Sequence, residues 1–273
     1  MNKVSAIQMT STPSIIENLT IVESLIKTAV GHGSGLIVLP EMFPIVGLET
    51  SDKVKISESF GNGQIQDFLS KQAKINNIWI VGGTIPIKSE DPYKVKAACL
   101  VYDDKGNVAG RYDKMHLFDV IVSESESYQE SSTTVPGEDI SIVNTPFGKL
   151  GLSVCYDIRF PELFRRLFNL GAEIFTIPAA FTIKTGQAHW EVLARSRAIE
   201  NFCYVIGSCQ TGTHNNGRNT YGHSLIINPW GEIISLLADG VGVITSEIDL
   251  DKLKQIRKNI PVAEHQKIFY TET

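Results

Sequence analysis

The sequence predicts an α/β fold, a four-layer αββα sandwich made of two pseudo-symmetric halves. Three observations predict it. Short apolar runs of strand length alternate with segments of helical period. The same β-α-β-α-β-β order occurs twice along the chain. Each half leaves one sheet face without a helix, and a second sheet is the natural cover for it. At 273 residues the chain is long enough for one large unit with a sizeable core, and a single domain over residues 1–273 is expected.

Val4 to Met9 reads as the opening strand, and Thr12-Pro13-Ser14 starts a helix with Ile15, Leu19, Val22 and Ile26 on one face. Gly31 to Gly35 then turns into L-I-V-L-P-E, an interior strand with Glu41 just past its end. That glycine-rich turn follows a helix and precedes a strand, the reverse of a dinucleotide site. A second helix is expected from Gln64 to Asn76, with Ile65, Phe68, Leu69 and Ile75 inward, followed by the strand I-W-I-V-G-G-T. A hairpin from Ala98 turns at Asp103 to Gly106, returns through Tyr112 and delivers Lys114. Asp119 to Gly137 is polar and without period, and reads as a long functional loop carrying Glu130.

In the second half, Leu150, Leu152 and Val154 form a short strand, with Cys155 where it stops and Pro161 opening a helix. A thiol at such an elbow is held away from the sheet, with N–H groups of the next turn facing whatever it attacks. A free cysteine beside a strand can equally be a small buried hydrophobe. Pro40 aligns with Pro178, Y-V-I-G-S-C-Q with the I-W-I-V-G-G-T strand, and the segment from His223 with the first hairpin. Glu41 and Cys155 have no chemical counterparts in the other half, as expected when functional groups are grafted onto a duplicated scaffold. Gln187 to Asn201 is expected to be a helix with Trp190, Leu193 and Ala194 inward and Glu191, Arg195 and Arg197 on a solvated face. Leu250 to Asn259 is the last helix, stopped by Pro261.

Composition excludes several classes. Hydrophobic content of 42%, charged content of 20% and a net charge of −5 suit a globular protein and argue against nucleic acid or an anionic membrane as partner. Four cysteines without C-x-x-C spacing suggest reduced thiols in the cytoplasm, with neither disulfides nor metal. There is no signal-peptide pattern at the N-terminus and no apolar run long enough to span a bilayer.

Glu41, Lys114 and Cys155 fall at strand ends on one edge of the expected sandwich, where ligand sites of α/β sheets form. His116, His189 and His223 are alternative partners for the thiol. At this point the chain resembles the nitrilase superfamily of carbon–nitrogen hydrolases over nearly its whole length. The resemblance rests on L-P-E-M at Leu39, Y-D-K-M-H-L-F-D at Tyr112, Y-Q-E-S at Tyr128 and C-Y-D-I-R-F-P-E at Cys155. It implies the αββα fold, a catalytic triad of Glu41, Lys114 and Cys155, a second glutamate at Glu130, and no cofactor. Glu41 would take the thiol proton as sulfur attacks an amide and return it to departing ammonia; Lys114 and the Tyr156 N–H would hold the oxyanion. Water would then cleave the thioester.

Within the superfamily the chain resembles amidases of deaminated glutathione, then ω-amidases acting on α-ketoglutaramate or α-ketosuccinamate. The residues that carry this are H-L-F-D-V at His116, T-G-Q-A-H-W-E-V-L at Thr185 and Y-G-H-S with N-P-W-G after Thr220. I-V-S-E-S-E-S at Ile121 departs from the pattern of those relatives. Such substrates carry a carboxylate beside a ketone, so a fixed cation is needed. Arg159 is the first candidate, followed by Lys184 and Arg218, although Arg159 could instead pair with Glu162 or Asp157. Phe181, Thr182 and Thr185 are expected pocket walls. Relatives form dimers or larger homo-oligomers, often through the helix matching Gln187 to Asn201. A catalytically silent scaffold and a nucleotide-binding α/β protein are the other classes; the intact Glu, Lys and Cys oppose the first, and the lack of a phosphate-loop motif opposes the second.

Overall fold

A computed structural model describes residues 2–124 and 126–268. The first half runs β1 (Lys3–Gln8), α1 (Ile15–Gly31), β2 (Leu36–Val38), α2 (Asp52–Lys55), α3 (Gln64–Asn76), β3 (Trp79–Val81), β4 (Ile85–Lys88), β5 (Val95–Tyr102) and β6 (Val108–Asp113). A small hairpin, β7 (Asp119–Ser123) and β8 (Glu126–Gln129), leads to β9 (Ile142–Thr145). The second half has β10 (Gly148–Leu152), α4 (Pro161–Asn169), β11 (Ile174–Ala179), α5 (Ile183–Thr185), α6 (Glu191–Asn201) and β12 (Tyr204–Cys209). It continues through β13 (Thr211–Thr213), β14 (Asn219–Tyr221), β15 (Ser224–Ile227), β16 (Ile233–Leu237), β17 (Gly242–Glu247), α7 (Leu250–Asn259) and α8 (Val262–His265).

The two large sheets are ordered β17-β1-β2-β3-β5-β4, with β6 also on β5, and β16-β15-β12-β11-β10-β9. The duplication is visible strand by strand. β1-β2-β3 and β10-β11-β12 are parallel runs, each flanked on one side by an antiparallel strand, β17 or β9, and on the other by an antiparallel hairpin, β5-β6 or β15-β16.

Alternation along the strands explains the layers. In β1 and β2, Val4, Ala6, Leu36 and Val38 enter the core shared with Leu150, Leu152 and Ile177 of the other sheet. Their neighbours Ile7 and Ile37 turn the opposite way, onto Leu19, Val22 and Ile26 of α1 and Leu69 of α3. A period of two thus sends alternate side chains to the sheet–sheet and sheet–helix interfaces, and at ~25 cal/mol per Å2 of apolar surface these provide the main drive to fold.

Helix boundaries follow their capping residues. The Ser14 side chain accepts from the Glu17 N–H at the start of α1, Asp249 does the same for Lys252 in α7, and Pro161 occupies the first position of α4.

Four expectations are corrected. The segment Asp119 to Gly137 is not an unstructured loop, because β7 pairs with β8 in register Val120 to Tyr128 and a short 3-10 turn, Glu130–Ser132, follows. Ile75 is 59% exposed, since it lies off the face of α3 defined by Ile65, Leu69 and Ala73. Arg197 is buried, its Nε donating to the Ile158 carbonyl at 2.9 Å, so α6 does not present it to solvent. The edge strand β4 was not foreseen; Pro86 in its middle weakens its strand signal, as expected where proline is confined to sheet edges.

Candidate active site

The nucleophile candidate stands where sequence patterning placed it, at the elbow after β10. Cys155 has φ +48°, a left-handed conformation that a non-glycine residue adopts at some cost, and begins a 3-10 helix, Cys155–Arg159. Tyr156 follows in the first turn, where N–H groups lack intrahelical acceptors and remain available to a ligand. The buried Asp157 carboxylate holds this elbow by accepting from the Val154 N–H at 2.8 Å.

Glu41 follows β2 by way of Leu39 and Pro40. Its backbone is pinned on both sides. The Gln210 side-chain amide donates to its carbonyl at 3.0 Å, and the next N–H, of Met42, donates to Thr84 Oγ1 at 2.9 Å. Met42 itself sits at φ +56°. Lys114 leaves the end of β6 with its N–H on Ala97 and its carbonyl accepting from Gly137. Glu130 comes from the far side of the β7–β8 hairpin and accepts from the Phe118 N–H at 2.7 Å.

These elements bring the four groups together. Lys114 Nζ lies 2.7 Å from Glu41 Oε1 and 2.8 Å from Glu130 Oε2, with Glu41 and Lys114 only 5% and 2% exposed. The Cys155 thiol stands close enough to Glu41 and Lys114 for both charges to act on it, and Ala180, just after β11, lines the same space. Burial, and then the Glu41 charge, push the thiol well above its ordinary range, although Lys114 opposes them. For Lys114, burial favours the neutral amine, but Glu130, Glu41 and Cys155 together outweigh it and raise the ammonium well above its usual value. Burial likewise resists ionisation of Glu130, yet Lys114 and then Lys53 hold its carboxyl below the ordinary range. Burial thus favours the neutral thiol of Cys155, and the Lys114 ammonium lies between Glu41 and Glu130.

The four residues open on a cavity of about 580 Å3, whose wall includes Tyr156, Phe181, Thr185, Lys53 and Arg218. Two expected residues are not on it. Arg159 lies outside, its guanidinium against His189 Nδ1 at 3.2 Å and over the rings of Tyr156 and Phe181, so it pairs with neither Glu162 nor Asp157 and does not reach the cavity. Thr182 is fully buried and caps α5 by accepting from the Thr185 N–H. The candidate histidines are committed elsewhere: His116 to Asp157 at 2.7 Å, His189 to Arg159, and His223 to the Tyr221 carbonyl at 3.1 Å. Lys184 donates to the Val122 carbonyl of the hairpin. Sequence reading missed Lys53, Asp157 and Ala180; only Asp157 had a local signal, the acidic residue two positions past the elbow cysteine.

A carbon–nitrogen hydrolase family model matches residues 3–258. The chain belongs to the carbon–nitrogen hydrolase family. It is thus an enzyme that cleaves carbon–nitrogen bonds. Deaminated glutathione amidase of Synechocystis sp. is 42% identical over 266 residues, covering 96% of this chain and 97% of the relative. The Homo sapiens protein of that name is 38% identical over 268 residues, covering 97% and 82%. Among solved structures, the C. elegans NitFhit protein superposes with a TM-score of 0.91 at 35% identity, covering 97% of this chain; the chain spans 65% of that protein's length. Saccharomyces cerevisiae Nit3, a member of branch 10 of the nitrilase superfamily, gives a TM-score of 0.86 at 31% identity, covering 95% and 94%. Among the described residues no helix is long and apolar enough to cross a membrane.

Proposed function

We propose that this carbon–nitrogen hydrolase is an amidase acting on deaminated glutathione, with Cys155, Glu41 and Lys114 as its catalytic triad. The observation that carries the site assignment is the Glu41–Lys114 ion pair with Cys155 opening on the same cavity, close enough for both charges to act on its thiol. The names of relatives matched over nearly the full length support the substrate.

Glu41 takes the thiol proton as sulfur bonds to the amide carbon. Moving the proton in the same step avoids populating a free thiolate, which burial makes costly. Lys114 and the Tyr156 N–H receive the charge that develops on oxygen. The C–N bond then breaks, and the proton returns through Glu41 to the departing nitrogen. In deaminated glutathione that nitrogen belongs to a dipeptide, so the leaving group is a peptide amine rather than the ammonia expected from a simple amide. Water, deprotonated by Glu41, adds to the thioester; the C–S bond breaks and the acid and thiol are restored. Glu130 keeps Lys114 charged and in place.

The chain acts as one domain and works as a homo-oligomer, a reading supported by Val192, Ile199 and Trp230, which expose apolar surface on and beside α6. Its cytoplasmic placement rests on four free, buried cysteines. Steady-state kcat/KM for deaminated glutathione and for α-ketoglutaramate, with Cys155→Ala as the control, tests the assignment. Preference for α-ketoglutaramate would replace the substrate, and turnover by the variant would remove the nucleophile.

A further inference from the structure

Among the described residues the cavity wall carries three cations, and only one of them has carboxylate partners. Lys114 takes both Glu41 and Glu130. Arg218, in the turn between β13 and β14, forms no ion pair among the described residues. Its Nη2 donates to the Ala180 carbonyl at 2.7 Å, its guanidinium lies 4.9 Å from the centroid of the Tyr128 ring, and its Nε is buried without a hydrogen-bond partner. Lys53, on α2, reaches the same cavity, donates to the neutral Thr134 Oγ1 at 2.8 Å and likewise has no ion pair among the described residues. Glu126, another carboxylate on the wall, accepts from the Tyr128 hydroxyl.

Burying a charged group without a counter-ion is costly, and the cost falls when a ligand brings the opposite charge. Lys53 and Arg218 also sense each other. Burial is the main influence that lowers the Lys53 ammonium, Glu130 opposes it, and Lys114 and Arg218 add like-charge repulsion. An anion received by both relieves that repulsion. Ala180 joins this pair to the reaction centre, because the residue whose carbonyl holds Arg218 also lines the cavity on which Cys155 opens. The guanidinium is thereby set at a fixed remove from the nucleophile, as selecting a carboxylate at one end of a substrate requires.

We propose that Arg218 and Lys53 form an anion subsite that receives the carboxylate of the substrate and sets the preference for acidic amides over neutral ones. Arg218 supplies the planar fork that matches a carboxylate, and Lys53 supplies a point charge beside it. The kinetic part of this proposal rests on the amidase reading; the binding part does not.

The binding test is protection of Cys155 from iodoacetamide, followed by intact mass, with 2-oxoglutarate as the competing anion. The wild type is expected to be protected saturably, and the neutral dimethyl ester of 2-oxoglutarate to protect poorly. Loss of one charged hydrogen-bonding partner in Arg218→Gln or Lys53→Met is expected to raise the half-protecting concentration roughly 10- to 100-fold. Arg218→Lys should fall between wild type and Arg218→Gln. Equal protection by acid and ester in the wild type, or unchanged protection in both charge-removing variants, overturns the subsite. Should Arg218→Gln fail to fold, the ester comparison and Lys53→Met still decide it. In the kinetic arm, the ratio of kcat/KM for a 2-oxo acid amide to that for its carboxylate-free analogue is expected to fall in both variants. A wild type that hydrolyses neither amide but is still protected by 2-oxoglutarate removes the amidase reading and leaves the subsite standing.

Discussion

The buried Asp157 carboxylate accepts the Tyr112 hydroxyl at 2.7 Å, joining the elbow that begins at Cys155 to the strand that ends just before Lys114. The same carboxylate takes the His116 N–H at 3.1 Å and its Nδ1 at 2.7 Å, while the His116 ring stacks on Phe160 at 3.6 Å. Cys155 and Lys114 come from different sheets, and this one side chain bonds to the segment that carries each.

Asp157→Asn is therefore expected to lower kcat more than it raises KM, because it loosens the position of Lys114 without touching the cavity wall. Removing one buried acceptor typically costs about 1–3 kcal/mol. Kinetics and chemical denaturation on the same preparation check it; a loss of stability with unchanged kcat would make the residue structural only.

The strained backbone of Cys155 gives a second expectation. Cys155→Ala and Cys155→Gly should both lose turnover, but glycine tolerates φ +48° and alanine does not. Cys155→Gly should be the more stable by roughly 1 kcal/mol, less the extra chain entropy that glycine loses on folding. Urea midpoints of the two variants measure the difference.

Gly83 sits at φ +55°, and a Cβ there would collide with the Pro40 carbonyl just before Glu41. Gly83→Ala is expected to displace Glu41, lowering kcat and slowing alkylation of Cys155. Activity equal to wild type would show that the β2 end does not depend on this contact.

Titration of the buried cluster predicts acid sensitivity. The Glu130 carboxyl is depressed in the folded state, so its contribution to stability is present above the ordinary glutamate value of about 4.3 and is lost as pH falls through the lower folded value. Lys114 is raised, so its contribution is present below about 10.4 and is lost only as pH rises past its higher folded value. Glu130→Gln should flatten the acid limb of stability against pH, with its full and constant deficit at neutral pH and a shrinking one as pH falls. Urea midpoints from acid to neutral pH test the sign.

For Cys155, the Glu41 charge raises the thiol and Lys114 lowers it. Glu41→Gln should shift thiolate formation, followed by ultraviolet absorbance, to lower pH, and Lys114→Met to higher pH. The reverse order would place these groups away from the sulfur.

By itself the sequence determined the duplicated α/β plan, the helix limits at Gln64, Asn76, Leu250 and Asn259, and the elbow at Cys155. Those are local matters of apolar period, capping and turn chemistry, carried by a few neighbouring residues. Glu41, Lys114 and Glu130 were singled out by resemblance rather than spacing, and their meeting was decided by the tertiary structure. Which cations face the cavity was decided there too. Arg159 follows the nucleophile in sequence but points to His189, whereas Lys53 and Arg218, far away along the chain, face the cavity. Tertiary structure also turned Arg197 inward and paired β7 with β8, because a partner supplied from elsewhere overrode what polarity suggested. Burial and pairing depend on what the rest of the chain brings to a position, and no local pattern contains that information.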